Sequence, residues 1–143
     1  MPSTNKKQIL DSDLARLVSC AREARGRAYA PYSHYAVGAA AMGKSGKIFM
    51  GCNVENAAFP SGLCAERVAI FKAVSEGERE IIALAVVTAN HGSPCGACRQ
   101  VLSEFARDNA VIVLAATRGS KWKRFTMKEI LPDRFGRQDL LSV

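Results

Sequence analysis

Residues 81–116 read IIALAVVTANHGSPCGACRQVLSEFARDNAVIVLAA, and their order decides the fold class. Ile81 to Ala89 is almost wholly apolar, which suits a strand buried on both faces. Ser93-Pro94 is a helix-start signal. The hydroxyl can accept a free backbone N–H, and the proline lacks only an N–H that the first turn leaves unpaired. The spacing predicts a helix from Cys95 to about Arg107, after which Val111 to Ala116 repeats the apolar strand pattern. The stretch is thus a strand-helix-strand unit with two cysteines at the start of its helix.

Upstream, Asp11 or Ser12 can cap a helix whose apolar residues Leu14, Leu17, Val18 and Ala21 recur at helical spacing, running to about Ala28. Tyr35 to Met42 and Lys47 to Cys52 flank the turn Gly43-Lys44-Ser45-Gly46 and read as a hairpin. A second helix is expected from Leu63 or Cys64 to Gly77, a suitable C-terminal cap. Downstream, Arg118-Gly119-Ser120 is a turn, Trp122 to Thr126 a fifth strand, and Met127 to Leu131 a short helix closed by Pro132. A hairpin joined to strand-helix-strand units implies an α/β fold, a mixed five-stranded sheet layered between helices.

A length of 143 residues suits one domain spanning 1–143. The hydrophobic share of 48% and charged share of 23% are those of a soluble globular chain and argue against disorder. Met1 to Asn5 is polar and followed by Lys6 and Lys7, with no apolar run of signal-peptide length and no 18-residue apolar stretch, so a cytoplasmic protein with no membrane partner is expected. The formal charge of +7 would suit a phosphate backbone. Yet the basic residues are scattered, and their densest cluster, Arg118, Lys121, Lys123 and Arg124, reads as a solvated turn beside an exposed strand. Nucleic acid is therefore not the expected partner.

The five cysteines form an odd set containing a CxxC, which in a reducing compartment favours metal or redox chemistry over disulfides. Cys64, Cys95 and Cys98 all fall at predicted helix starts. Two sulfurs of a CxxC in a first turn converge on one point, and a third cysteine from a neighbouring helix completes a tripod. Structural zinc sites are closed by four protein ligands, whereas catalytic ones keep a position open, so three cysteines favour catalysis. Cys20, on the apolar side of the first helix, and Cys52, at a strand end, read as small buried hydrophobes. Three thiolates would leave a zinc site with net negative charge, which the positive ends of two helices and Arg67, three residues beyond Cys64, are placed to offset. Glu66 is the candidate proton shuttle. A lone first-turn glutamate needs no function, since the helix dipole favours it. With a cysteine two residues before it and Pro94-Cys95-Gly96-Ala97-Cys98 about thirty residues on, it completes a zinc deaminase signature with cysteine in place of histidine.

The segments Tyr29-Ala30-Pro31-Tyr32-Ser33, Val37-Gly38-Ala39-Ala40, Gly51-Cys52-Asn53-Val54-Glu55-Asn56-Ala57, Cys64-Ala65-Glu66-Arg67 and Pro94-Cys95-Gly96-Ala97-Cys98-Arg99-Gln100 resemble the small tetrameric cytidine deaminases, in that family's order and from about Leu14 to Phe135. The resemblance implies zinc on Cys64, Cys95 and Cys98, proton transfer by Glu66, and hydrolysis of free cytidine and deoxycytidine to uridine and deoxyuridine with release of ammonia, in pyrimidine salvage. It implies that Asn53 and Glu55 bond the ribose 3′-hydroxyl and that backbone groups near Ala65 and Cys95 touch the pyrimidine. Tyr35, usually Phe in the family, would lie against the base, and Phe135 would come from an adjacent subunit of a homotetramer. Phe59 stands where the family usually has Tyr. His34 and His91 fall outside the metal-ligand position and are expected to be exposed loop residues. The competing readings are a deaminase of polynucleotides, a deaminase of a modified cytosine nucleoside of the blasticidin S type, and a non-catalytic zinc module.

Overall fold

Strand alternation divides the core between two helical layers. In the computed structural model, which describes residues 8–141, Ala40 and Met42 face one layer while their neighbours Ala39 and Ala41 face the other. The polar stretch Met1 to Lys7 lies outside the described residues. The elements run α1 (Asp11–Arg25), β1 (Gly38–Gly43), β2 (Ile48–Cys52), α2 (Ala65–Ser75), β3 (Ile81–Val87), α3 (Gly96–Phe105), β4 (Val111–Ala115), β5 (Lys123–Thr126), α4 (Met127–Ile130) and α5 (Arg137–Leu141), with a 3-10 turn at Phe59–Ser61. They form a five-stranded sheet of order β2-β1-β3-β4-β5. The β3–β4 pair is parallel and the other pairs are antiparallel, which makes the sheet mixed, as its sequence implies.

Leu14, Leu17, Val18 and Ala21 of α1 pack on Ala40, Met42, Ala85, Val87 and Val113. Ala65, Ala69, Ile70 and Ala73 of α2, with Leu102 of α3, pack on the opposite face against Ala39, Ala41, Leu84, Val86 and Ile112. Alanine on both sides of these contacts lets the helix backbones sit close to the sheet. One such close approach is at Gly51, where a β-carbon would lie 2.6 Å from both the Ala65 carbonyl oxygen and the Ala69 nitrogen. The first turn of α2 is thereby seated directly on β2. Because both obstructing atoms are helix backbone, Gly51→Ala is expected to lower stability by about 1–3 kcal/mol. Thermal unfolding would check it, and an unchanged midpoint would contradict this seating.

The strand at one edge, β5, exposes Lys123 and Arg124, a charge pattern that discourages further strand pairing. Among the described residues, no helix is long and apolar enough to cross a membrane.

The boundaries that differ from the sequence reading do so where side chains capture backbone groups. The helix α1 ends at Arg25 rather than Ala28, and Arg25 Nε then donates to the Ala36 carbonyl at 3.0 Å. β1 begins at Gly38 rather than Tyr35, because Asn53 takes over the preceding backbone: its Oδ1 accepts from Val37 N at 2.9 Å and its Nδ2 donates to Tyr35 O at 2.8 Å. The helix-start signal at Ser93-Pro94 comes two residues early. Cys95 is the N-cap and the helix spans Gly96–Phe105, while Ser93 Oγ accepts from Arg99 Nη2 at 2.6 Å. The 3-10 turn and α5 were not expected from the sequence.

Candidate active site

Two helix starts carry the thiols. Cys64 is the N-cap of α2 and Cys95 the N-cap of α3, both in extended backbone, and Cys98 lies in the first turn of α3. The three Sγ atoms lie within 4.8 Å of one another, with those of Cys95 and Cys98 3.4 Å apart. Cys98 is buried, Cys64 half-buried and Cys95 exposed. Both N-caps stand where free backbone N–H groups and the positive helix end favour negative charge on sulfur. Among the described residues, neither Cys20 nor Cys52 joins this cluster.

Glu66, the second residue of α2, is only 5% exposed. Burial pushes its carboxyl above the ordinary range, opposed by bonds to its own backbone N–H and to Cys98. Burial, together with the Glu66 charge, likewise pushes the Cys98 thiol far above the usual range. The Glu66 carboxyl and the Cys98 thiol thus meet at the buried side of the cluster. Arg67 places a cation beside the thiols: its Nη2 donates to Cys64 Sγ at 3.2 Å. Its Nε is buried without a hydrogen-bond partner among the described residues. Three converging soft donors fit a zinc ion.

A cleft of about 460 Å³ opens beside Cys64, in the size range of small-molecule sites. Asn53, Glu55, Cys64 and Arg67 line it, so the cleft and the thiol cluster share an edge at Cys64. Glu55 is fixed by two other lining residues: its Oε1 accepts from Tyr32 N at 3.0 Å and Ser33 N at 3.1 Å, and its Oε2 from the Ser33 hydroxyl. Asn53 spends its amide on residues 35 and 37, leaving one Nδ2 hydrogen uncommitted. Tyr32 and Phe59 meet edge to face at the rim with ring centroids 5.9 Å apart. Tyr35, Ala65 and Phe135 are not among the lining residues. Ala65 is fully buried with its carbonyl over Gly51, and Phe135 is held by Gln100 Nε2 donating to its carbonyl at 3.0 Å. His34 is exposed with φ 57°, as expected of a loop residue. His91 is half-buried instead, because its ring packs within 3.2 Å of the Lys121 carbonyl.

The Ser33 hydroxyl lowers the Glu55 pKa most, followed by the backbone N–H groups of Ser33 and Tyr32. A carboxyl whose folded pKa lies below its unfolded value binds protons more weakly when folded, so its contribution to stability is present above the ordinary value of 4.5 and lost as pH falls through the depressed one. The difference in melting temperature between the parent protein and Glu55→Gln should therefore narrow from about pH 6 to about pH 3. A constant difference would contradict the contacts described for this carboxylate.

Sequence reasoning missed Tyr32 and Ser33 as partners of Glu55, since Pro31-Tyr32-Ser33 carries only a turn signal. It also missed Arg99, which bonds the Pro94 carbonyl at 2.8 Å and the Ile130 carbonyl at 2.7 Å and so braces the approach to Cys95 against α4.

A family model for the cytidine and deoxycytidylate deaminase zinc-binding region matches residues 11–115. The chain belongs to the cytidine deaminase family. A cytidine deaminase of Sporosarcina psychrophila is 45% identical over 90% of this chain and 95% of its own length, and one of Halalkalibacterium halodurans is 42% identical over 90% and 98%. The crystal structure of a Burkholderia pseudomallei cytidine deaminase superposes with a TM-score of 0.79 at 44% identity, covering 85% of this chain and 98% of that one. This cytidine deaminase is accordingly a zinc-binding enzyme, and the Cys64, Cys95 and Cys98 cluster is a group able to hold the metal.

Proposed function

We propose that this deaminase hydrolyses the 4-amino group of free cytidine and deoxycytidine, giving uridine or deoxyuridine and ammonia in pyrimidine salvage. The observation that carries this reading is the buried Glu66 carboxyl against a three-thiol cluster whose edge opens into a nucleoside-sized cleft.

Cys64, Cys95 and Cys98 would hold zinc, which supplies Lewis acidity for the attack of water at C4 of the base. Glu66 takes a proton from the attacking water and delivers it to ring N3, making C4 electrophilic. It then carries the remaining hydroxyl proton to the amino group, which leaves as ammonia while the C4 carbonyl forms. Its raised pKa suits a group that must both accept and return a proton. Arg67 offsets thiolate charge through its bond to Cys64. Backbone groups near Ala65 and Cys95 orient the pyrimidine, Tyr35 lies against it, and Asn53 and Glu55 address the sugar 3′-hydroxyl from the cleft wall.

Phe59 and Phe135 are 75% and 59% exposed, so both rings are available to a further copy of the chain. The assembly is read as a cytoplasmic homotetramer in which Phe135 completes a neighbour's site. Co-expressing Phe135→Ala with Glu66→Gln should then restore part of the activity that each lacks alone, through sites built from the intact residue of each chain. No activity in the mixed preparation would contradict the shared site.

The substrate class is tested by following absorbance loss with cytidine, deoxycytidine and a cytosine-containing single-stranded oligonucleotide. Turnover of both nucleosides with little conversion of the oligonucleotide is expected. An oligonucleotide converted as fast as the nucleosides would overturn the assignment, as would inertness toward both nucleosides.

A further inference from the structure

Tyr35 is anchored at its far end. Its hydroxyl donates to Asn90 Oδ1 at 2.7 Å, and the same oxygen accepts from Thr88 Oγ1 at 3.3 Å. Thr88 is buried, and its Oγ1 in turn accepts from Gly92 N at 2.5 Å and Asn90 N at 3.4 Å. The phenol therefore joins the polar network of the loop that follows β3 and runs into Cys95. Gly92 completes the seat. Its φ is not in the left-handed region, so its backbone conformation does not demand glycine. Space does: a β-carbon there would overlap the Tyr35 hydroxyl and come within 3.1 Å of Thr88 Oγ1. A phenylalanine at position 35 would lack the oxygen that both Asn90 and Gly92 accommodate.

We infer that Asn90 and Gly92 are positioning residues that latch the Tyr35 ring to the β3–α3 loop, fixing the aromatic wall of the base site relative to the Cys95 end of the thiol cluster. The inference rests on the proposed role of Tyr35 against the pyrimidine. Tyr35 is 39% exposed, so the hydroxyl bond, rather than close packing, sets the ring's orientation. A ring that touches the base equally in the bound substrate and in the transition state changes KM and leaves kcat nearly alone. The loss of a modest hydrogen bond corresponds to about a 3- to 10-fold change.

Steady-state kinetics of the zinc-loaded enzyme with cytidine test it. Asn90→Ala and Gly92→Ala should each raise KM about 3- to 10-fold with kcat changed less than about twofold. Asn90→Asp, which keeps an acceptor for the phenol, should recover most of the loss. In a Tyr35→Phe background neither Asn90→Ala nor Gly92→Ala should raise KM further, because the oxygen they seat is gone. Equal costs in both backgrounds, or losses confined to kcat, would overturn the latch. Tyr35→Ala separates the two levels of argument. An unchanged KM would overturn the base contact and the latch with it, whereas a raised KM with no effect of Asn90→Ala would overturn the latch alone. Asn90 is exposed, so its variants retain an interpretable reading even if Gly92→Ala folds poorly.

Discussion

Glu66→Gln is expected to bind zinc and to lower kcat by about 10²- to 10⁴-fold. The amide keeps the volume and much of the polarity of the carboxyl, so α2 and the thiols at its N-terminus stay in place, but it can neither take the proton from water nor return one to the amino group. The same replacement removes the group whose burial disfavours ionisation, so any loss of folding stability should be small. Turnover by absorbance and zinc content by metal analysis separate the two effects. Substantial activity in a zinc-replete variant would remove Glu66 from the mechanism, and loss of zinc along with activity would make its role structural.

Cys98→Ala should carry the other large effect: no stoichiometric zinc and activity at background. Cys98 is the buried member of the cluster at 1% exposure, within the first turn of α3, so no solvent ligand replaces it easily. Its loss also leaves Glu66 and Arg67 facing a site without its cation, and metal binding energy is folding energy, so the melting temperature should fall toward that of chelated protein. Cys20→Ala is the matching control. That thiol packs beside the α1 core and belongs to no metal cluster among the described residues, so its removal should leave zinc in place. A Cys98→Ala protein with a full zinc complement would contradict the assignment of this ligand.

The fold was legible in the sequence wherever an apolar pattern was long. Ile81 to Val87 and Val111 to Ala115 are buried along almost their whole length, and the Leu14, Leu17, Val18, Ala21 stripe is the face that α1 buries. It was less legible where side chains compete with the ladder. Nothing in the spacing of Asn53 shows that its amide will occupy residues 35 and 37, and that contact decides where β1 begins. The thiol cluster was legible because the helix starts that hold Cys64 and Cys95 have local signals, whereas the seating of the α2 start on β2 depends on Gly51, whose helix neighbours lie outside any local pattern. The Tyr35, Asn90 and Gly92 contact was out of reach for the same reason: its partners lie 55 residues apart, and each looks like an ordinary loop residue by itself.

The central claim is zinc-dependent deamination of a free nucleoside by this chain. Its most direct test is the rate of cytidine conversion by protein carrying one zinc per chain, measured again after chelation and after zinc is restored. The account predicts uridine and ammonia in equal amounts, a rate that vanishes on chelation, and recovery on re-addition. Unchanged turnover by the zinc-free protein, or none by the fully loaded one, would contradict it.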